Sequence, residues 1–113
     1  MGILWNEKDY GVKDGHIVYL SGGEAVLNRV LFLLTARRGS FPFLPELGSR
    51  LHLLARAKPG QWESLARLYV TEALAKEKDL AVLDVRVRRD GERLWVETDL
   101  EWQGTTWSVQ TDV

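Results

Sequence analysis

The sequence contains no cysteine, one methionine, three prolines and two histidines. Without cysteine the chain can form neither a disulfide framework nor a thiolate nucleophile, a composition typical of proteins that fold in a reducing compartment. The histidines, His16 and His52, are far apart in sequence and do not suggest a metal or catalytic pair. We therefore expect no cofactor, no metal and no small-molecule substrate.

Long apolar runs and an excess of one charge are also missing. No stretch approaches the roughly 20 apolar residues that cross a bilayer, and the first residues lack the basic start and apolar core of a signal peptide. The formal net charge is −1, so the chain has no overall attraction for nucleic acid or an anionic membrane. We expect a protein that is cytoplasmic when made and binds neither.

Catalytic motifs are equally scarce. The sequence has no glycine-rich phosphate loop, no Gly-x-Ser-x-Gly elbow and no cluster of metal ligands. Glu46 could be imagined as a general acid, but glycoside hydrolysis needs a second carboxylate at a set distance, and the sequence nominates none. We expect a protein that is not an enzyme, with a cell-wall-cleaving enzyme as a distant alternative.

The rest of the composition is that of one globular domain over residues 1–113, with 45% hydrophobic and 27% charged residues. Residues 1–15 form a glycine-interrupted arm whose structure is weakly determined. Residues 16–20 are β-branched and aromatic and predict one strand. Ser21 and Glu24 have the spacing of a capping box, which predicts that a helix begins there.

Three helices are predicted by apolar periodicity. The first carries a wide stripe that should be largely buried and ends at a left-handed Gly39. Arg37 and Arg38 in its last turn either complement the helix dipole or contact an acidic partner. A short helix follows over residues 49–57, and a longer one over residues 61–78 has its apolar positions on one face. The residues of the first stripe are Val26, Leu27, Val30, Leu31, Leu33 and Leu34.

Residues 82–113 alternate apolar and polar side chains, which predicts a three-stranded antiparallel β-meander. With two-residue turns at Asp90-Gly91 and Gln103-Gly104, Val87 faces Leu94 and Leu100 faces Trp107, and both turns place the apolar residues on one face. The predicted fold class is therefore α+β, with an N-terminal strand and helices packed on this meander.

Two features of the meander suggest protein interfaces. Trp95 lies on the otherwise polar face, either in a cation–π pair with Arg86 opposite or in a contact with a partner. The last strand, with Trp107, Val109 and Thr111, contains no proline or lysine that would block its edge, so pairing with a partner strand is expected there.

The loop between the first two helices is unusually apolar. Phe41, Phe43 and Leu44 lie among Gly39, two prolines and Gly48, whereas loops are usually polar and exposed to solvent. We expect this loop to be docked, either on the domain's own core or on another protein.

The residues around this loop resemble a known family. Leu33-Leu34-Thr35, then Arg38-Gly39-Ser40, then Pro45-Glu46-Leu47-Gly48-Ser49-Arg50-Leu51 are similar to the pattern of the GPW family of phage baseplate wedge proteins. That family includes the lysozyme-like wedge protein of large contractile-tail phages, the W protein of smaller ones and the related baseplate subunit of type VI secretion systems. Its Glu-Pro-Arg triplet before the first meander strand corresponds here to Glu77-Lys78-Asp79, so only the glutamate matches.

The resemblance implies a structural baseplate protein without enzymatic activity, which joins other wedge proteins to the first ring of the tail sheath. It implies that the strand Thr105 to Val113 receives sheath strands at its edge, through Trp107, Val109 and Thr111. It also implies a wedge-facing surface formed by Phe41, Phe43, Pro45, Glu46, Arg50 and Glu77, with assembly into a virion tail, prophage particle or secretion machine. The alternative is a small regulatory binding module of the same fold.

Overall fold

The computed structural model describes residues 2–5, 10–13, 16–19 and 23–113, the first three ranges as backbone only. Strands β1, β2 and β3 span Gly2–Trp5, Tyr10–Lys13 and His16–Tyr19, and helix α1 spans Gly23–Thr35. Two short 3-10 helices, Leu51–Arg56 and Pro59–Gln61, lead into helix α2, Trp62–Ala73. Strands β4, β5 and β6 span Leu80–Asp90, Arg93–Trp102 and Thr105–Asp112.

The predicted α+β fold class and the antiparallel meander β4–β5–β6 are confirmed, but the meander belongs to a four-stranded sheet of order β1-β6-β5-β4. Strands β2 and β3 form a separate hairpin. Two segments of the predicted arm are thus strands, and β3 matches the predicted strand at His16. Ser21 of the predicted capping box lies outside the described residues.

The predicted pairing of the last two strands is confirmed, with Leu100 opposite Trp107. Gln103 and Gly104 have φ values of 49° and 76°, so both central residues of the turn adopt positive φ. A two-residue turn of this kind matches the right-handed twist of the strands that it joins.

The predicted pairing of β4 with β5 is wrong by two residues. Asp90 pairs with Arg93 and Val87 with Val96, so the turn residues are Gly91 and Glu92. Gly91 takes the first central position with a φ of +62°, which glycine adopts without strain. A shift of two leaves every side chain on its predicted face, because side chains alternate with period two.

The predicted free edge at β6 is also wrong. Strand β1 pairs along β6, with Leu4 opposite Val109, so β6 lies between β1 and β5. The strands at the two ends of this sheet are β1 and β4. Trp107, Val109 and Thr111 have 3%, 0% and 0% of their surfaces exposed, because alternation turns them onto the inner face of the sheet.

The inner face of the sheet and the two helices form the core. The predicted stripe of α1 is buried except for Leu31, which is half-buried, and α2 contributes Ala66, Val70 and Leu74. Helix α1 ends at Thr35, before the predicted Arg37 and Arg38, because the backbone of Arg37 turns to pair with Ser49. Gly39, with a φ of +89°, lies in the following turn instead of capping the helix.

Helix α2 is shorter than predicted, and residues 51–56 form a 3-10 helix where a short helix was expected. After α2 the chain makes a further turn, and Asp79 adopts a φ of +61° at the entry to β4. The apolar periodicity of the sequence continues past the end of α2, because Leu74 packs on the core as Ala73 does at the end of the helix.

Candidate protein interface

The loop Arg38–Gly48, here called the clamped loop, leaves and returns to the same point of the fold. At its neck the Ser49 amide donates to the Ala36 carbonyl over 2.8 Å, and the Arg38 amide donates to the Ser49 carbonyl over 2.9 Å. Compact surface loops with closed ends are frequently functional. The neck therefore presents the loop as a unit on the surface.

Gly48 and Ser49 close the neck. Gly48 has a φ of +100°, and a Cβ atom added there would lie 2.5 Å from the Ala36 carbonyl oxygen. The Ser49 hydroxyl, which is buried, donates to the Leu34 carbonyl over 2.6 Å and accepts a hydrogen bond from the Leu51 amide over 3.3 Å. This one side chain thus joins the end of α1 to the start of the 3-10 helix.

Ion pairs fasten the clamped loop to α2 and the turn behind it. The Glu72 carboxylate lies 3.7 Å from the Arg38 guanidinium and 3.4 Å from that of Arg50, so it holds both sides of the neck. Lys76 donates to Glu46 over 3.0 Å. The sequence did not predict these roles for Glu72 and Lys76, because their spacing of four residues on one helix favours a pair with each other.

The apolar side chains of the loop divide into two groups. The Phe41 ring is half-buried and lies 6.2 Å from the Phe32 ring on α1. Phe43 is 96% exposed and Leu44 is 56% exposed. Phe41 is thus seated on the domain itself, whereas Phe43 and Leu44 remain exposed at the tip of the loop.

Glu46, the imagined general acid, is exposed on this loop. The hydrogen bond and charge of Lys76, with the charge of Arg38, hold the pKa of its carboxyl below the usual range. A general acid in glycoside hydrolysis needs a raised pKa instead, so that it carries a proton at neutral pH. The geometry suits Glu46 to an ion pair and not to proton donation.

The predicted wedge-facing residues come together in part. Phe41, Phe43, Pro45 and Glu46 belong to the clamped loop, and Arg50 flanks its neck. Glu77 follows Lys76 in the turn after α2, and its carboxylate pairs with Arg29 on α1. Trp95 is on the outer face of the sheet, and Trp107, Val109 and Thr111 are in the core.

The outer face of the sheet carries a network of ion pairs. The Arg86 guanidinium donates to Asp84 and Asp99 over 2.8 Å each and lies 3.5 Å from Glu97. The hydrogen bonds that Arg86 donates lower the pKa of the Asp99 carboxyl, and the same bonds to Asp99 and Asp84 raise the pKa of Arg86. The surrounding carboxylates already pair with the Arg86 guanidinium, so we assign this network a structural role.

Trp95 makes the predicted cation–π contact with a different arginine. The Arg88 guanidinium lies 5.9 Å from the centre of a Trp95 ring, and the two residues are paired across β4 and β5. Arg86 was predicted for this role because the assumed turn placed it two residues out of register.

A cavity of about 270 Å³ opens beside the neck of the loop. Its charged lining residues are Arg37 and Asp112, of opposite sign, so the lining favours no single ligand class. Within residues 23–113 and the three described strands, no group of three or more His, Asp or Glu side chains could hold a metal ion. None of the helices described is long and apolar enough to span a membrane.

Comparison with known proteins gives a likeness of fold. The crystal structure of a proposed tail lysozyme from Geobacter sulfurreducens superposes with a TM-score of 0.69 and 20% sequence identity, over 87% of this chain and 95% of that chain. No protein-family model and no curated protein sequence matches the chain. The two proteins therefore share a fold over most of the length of each chain.

Proposed function

We propose that this protein is a structural baseplate component of a contractile phage tail or a tail-like particle. The observation that carries the proposal is the structural role of the segment that resembles the GPW family. In Pro45–Leu51, Glu46 pairs with Lys76, Gly48 and Ser49 close the neck, and Arg50 pairs with Glu72. The residues that resemble the family are thus those that hold the apolar loop at the surface. The likeness of fold to a proposed tail lysozyme supports the same assignment.

In this proposal the clamped loop faces other wedge proteins. Its neck and its ion pairs reduce the conformational freedom that the loop would lose on binding, so Phe43 and Leu44 can be buried by a partner at low entropic cost. Glu77 pairs with Arg29 on α1, although the family's proline and arginine are replaced by Lys78 and Asp79.

The sheath strand, in the same proposal, is added at β4 and not at β6. Strand β4 is eleven residues long and lies at one end of the sheet. The Val87 amide points away from β5, since it donates to the Glu63 carboxylate of α2 over a long 3.5 Å. A partner strand can pair with such outward-facing backbone groups after displacing that weak contact.

The proposal also holds that the protein is not an enzyme. The lowered pKa of Glu46 and its ion pair with Lys76 support this, because both oppose proton donation at neutral pH. A peptidoglycan-release assay with wild type and Glu46→Gln tests it. We expect no activity from either protein, and activity that Glu46→Gln abolishes would establish a muralytic enzyme instead.

Electron microscopy of particles purified through a tag on this protein tests the proposed assembly. We expect contractile tails or tail-like particles, with the tag located at the baseplate end. Purification of the protein without such particles, or of particles with the tag elsewhere, would contradict the proposal.

Strand addition can be tested by two substitutions at one position. Val87→Pro removes the outward amide, which an edge strand tolerates, and is expected to prevent sheath attachment. Val87→Ala is the matched control, since it removes a similar amount of side chain but keeps the amide, and its particles should carry sheath. Sheathed particles with both variants would rule out pairing at this position.

A further inference from the structure

The segment that contains the clamped loop has a charge unlike the rest of the chain. Of the 15 basic and 16 acidic residues in the chain, five basic and one acidic lie between residues 36 and 61. The acidic one, Glu46, is paired with Lys76 from outside that segment. The segment that carries the exposed Phe43 is therefore strongly basic in a protein whose net charge is −1.

Part of this positive charge is compensated and part is not. Arg38 and Arg50 share the Glu72 carboxylate. Arg37, Arg56 and Lys58 are exposed, and none of them has an acidic partner within the described part of the chain. Among the described residues, these three cations thus form no ion pair, although Asp112 lines the same cavity as Arg37.

Arg37 lies at the neck, Arg56 ends the 3-10 helix that begins beside it, and Lys58 follows two residues later. Arg37 pairs through its backbone with Ser49, directly before Arg50. From there the 3-10 helix Leu51–Arg56 buries Leu51 and Leu54 and leaves Arg56 exposed. With three residues per turn, Arg50 and Arg56 lie on the same side of this helix.

We propose that this basic surface and the Phe43–Leu44 tip together dock an acidic protein segment that also carries apolar side chains. The inference rests on the proposed function, because it names the chemistry of the partner at the clamped loop. Carboxylates of the segment face Arg37, Arg56 and Lys58, and its apolar side chains cover Phe43 and Leu44. Complementary charge increases the association rate and excludes basic competitors, whereas apolar burial supplies affinity.

An acidic protein fits this surface better than a nucleic acid. The most exposed part of the loop is apolar and lies between Pro42 and Pro45, and such a tip is buried by protein side chains. Nucleic-acid affinity depends on many neutralised phosphates, and two of the five cations here already share the Glu72 carboxylate. A bound nucleic acid is therefore a result that would overturn the inference.

Site-specific photocrosslinking in cells that produce the native particle tests the inference. A benzophenone amino acid replaces Phe43, and in a matched control it replaces Leu68, which is an exposed apolar residue on α2. We expect cross-links from position 43 to a protein segment rich in aspartate and glutamate. In the Arg56→Gln/Lys58→Gln background their yield should fall roughly five-fold, since two attractive charges are lost.

Lys78→Gln is the control for charge loss outside this surface, and its cross-link yield should be unchanged. A link to an acidic segment of a protein that is no tail component would support the inference while contradicting the proposed function. A link to a neutral or basic segment, or to nucleic acid, would overturn the inference even in a baseplate. So would a yield that is no higher than at Leu68, or that Arg56→Gln/Lys58→Gln leaves unchanged.

Discussion

Single residues close the neck of the clamped loop, and Gly48 is the most constrained of them. Its φ of +100° is a conformation that L side chains rarely adopt, and the Ala36 carbonyl occupies the space of a Cβ atom. Gly39 has a similar φ of +89°, but no atom lies within 4 Å of the place that its Cβ would take, and Gly60 has neither constraint. The three glycines therefore separate the two effects.

We expect Gly48→Ala to lower the free energy of unfolding by at least ~2 kcal/mol, because strain and steric overlap add. Gly39→Ala should cost about 1 kcal/mol from strain alone, and Gly60→Ala should lie within about 0.5 kcal/mol of wild type. Urea unfolding of the three variants measures this order. Equal values for Gly48→Ala and Gly60→Ala would show that the neck is not closed as described.

The interaction of Arg86 with Asp99 makes the free energy of unfolding depend on pH. The hydrogen bonds that Arg86 donates lower the pKa of Asp99 in the folded state, so this contribution is complete above the unfolded pKa of about 3.9 and is lost as the pH falls through the folded pKa. We expect Arg86→Gln to be less stable than wild type at pH 7 and to lose less stability between about pH 5 and pH 2. Unfolding curves across this range measure both effects.

Arg89→Gln is the control for the Arg86 prediction, because the Arg89 guanidinium donates to the Gly91 carbonyl, which does not titrate. Its stability should follow the wild-type dependence on pH. Parallel curves for Arg86→Gln and wild type would show that Asp99 does not depend on Arg86.

At the scale of elements, alternation along the sheet decides which tryptophans hold the fold together. Trp107 is buried on the inner face of β6, whereas Trp95 lies half-buried on the outer face against Arg88. The inner tryptophan packs between the sheet and the helices. Removal of the Trp95 side chain abolishes mainly its contact with Arg88, which is partly solvated.

We expect Trp107→Ala to lower the free energy of unfolding by about 3–5 kcal/mol. Trp95→Ala should cost less than about 1 kcal/mol, the size of an exposed cation–π contact. Thermal unfolding of both variants measures the difference, and comparable losses would contradict the assignment of faces. Removal of residues 107–113 should unfold the protein for the same reason.

In the molecule as a whole, the clamped loop and the β4 edge contact different residues of α2, and the neck of the loop is held at Glu72. The loop surface depends on α1, α2 and the neck, and the β4 edge borders α2 at Glu63 and Arg67. Such an arrangement suits a protein that joins two different partners, as the proposed function requires.

Phe43→Ser separates folding from assembly. Because the side chain is almost fully exposed, we expect the free energy of unfolding to stay within about 0.5 kcal/mol of wild type. Incorporation of the variant into particles should be strongly reduced, which immunoblotting of purified particles measures. Leu68→Ser, at another exposed apolar position, is the matched control and should be incorporated normally.

Much of the fold could be predicted from local patterns. Spacing on the helices identified the buried stripe of α1 and the core face of α2, and alternation identified the inner face of the meander, including Leu100 opposite Trp107. The β4–β5 turn was misplaced because Asp90-Gly91 is a strong hairpin signal, although Gly91-Glu92 also places glycine where positive φ is needed. The predicted faces of β4 and β5 were still correct, because the error in register was two residues and not one.

The fold class, the faces of the helices and strands, and the presence of an unusual apolar loop could all be inferred from the sequence, because each depends on the order of neighbouring residues. The folded chain was needed to establish that β1 pairs with β6, that Glu72 and Lys76 fasten the clamped loop, and that Phe43 stays exposed. These facts depend on contacts between segments distant in the chain. Local periodicity carries no information on which strand pairs with which, or on which cation a carboxylate meets.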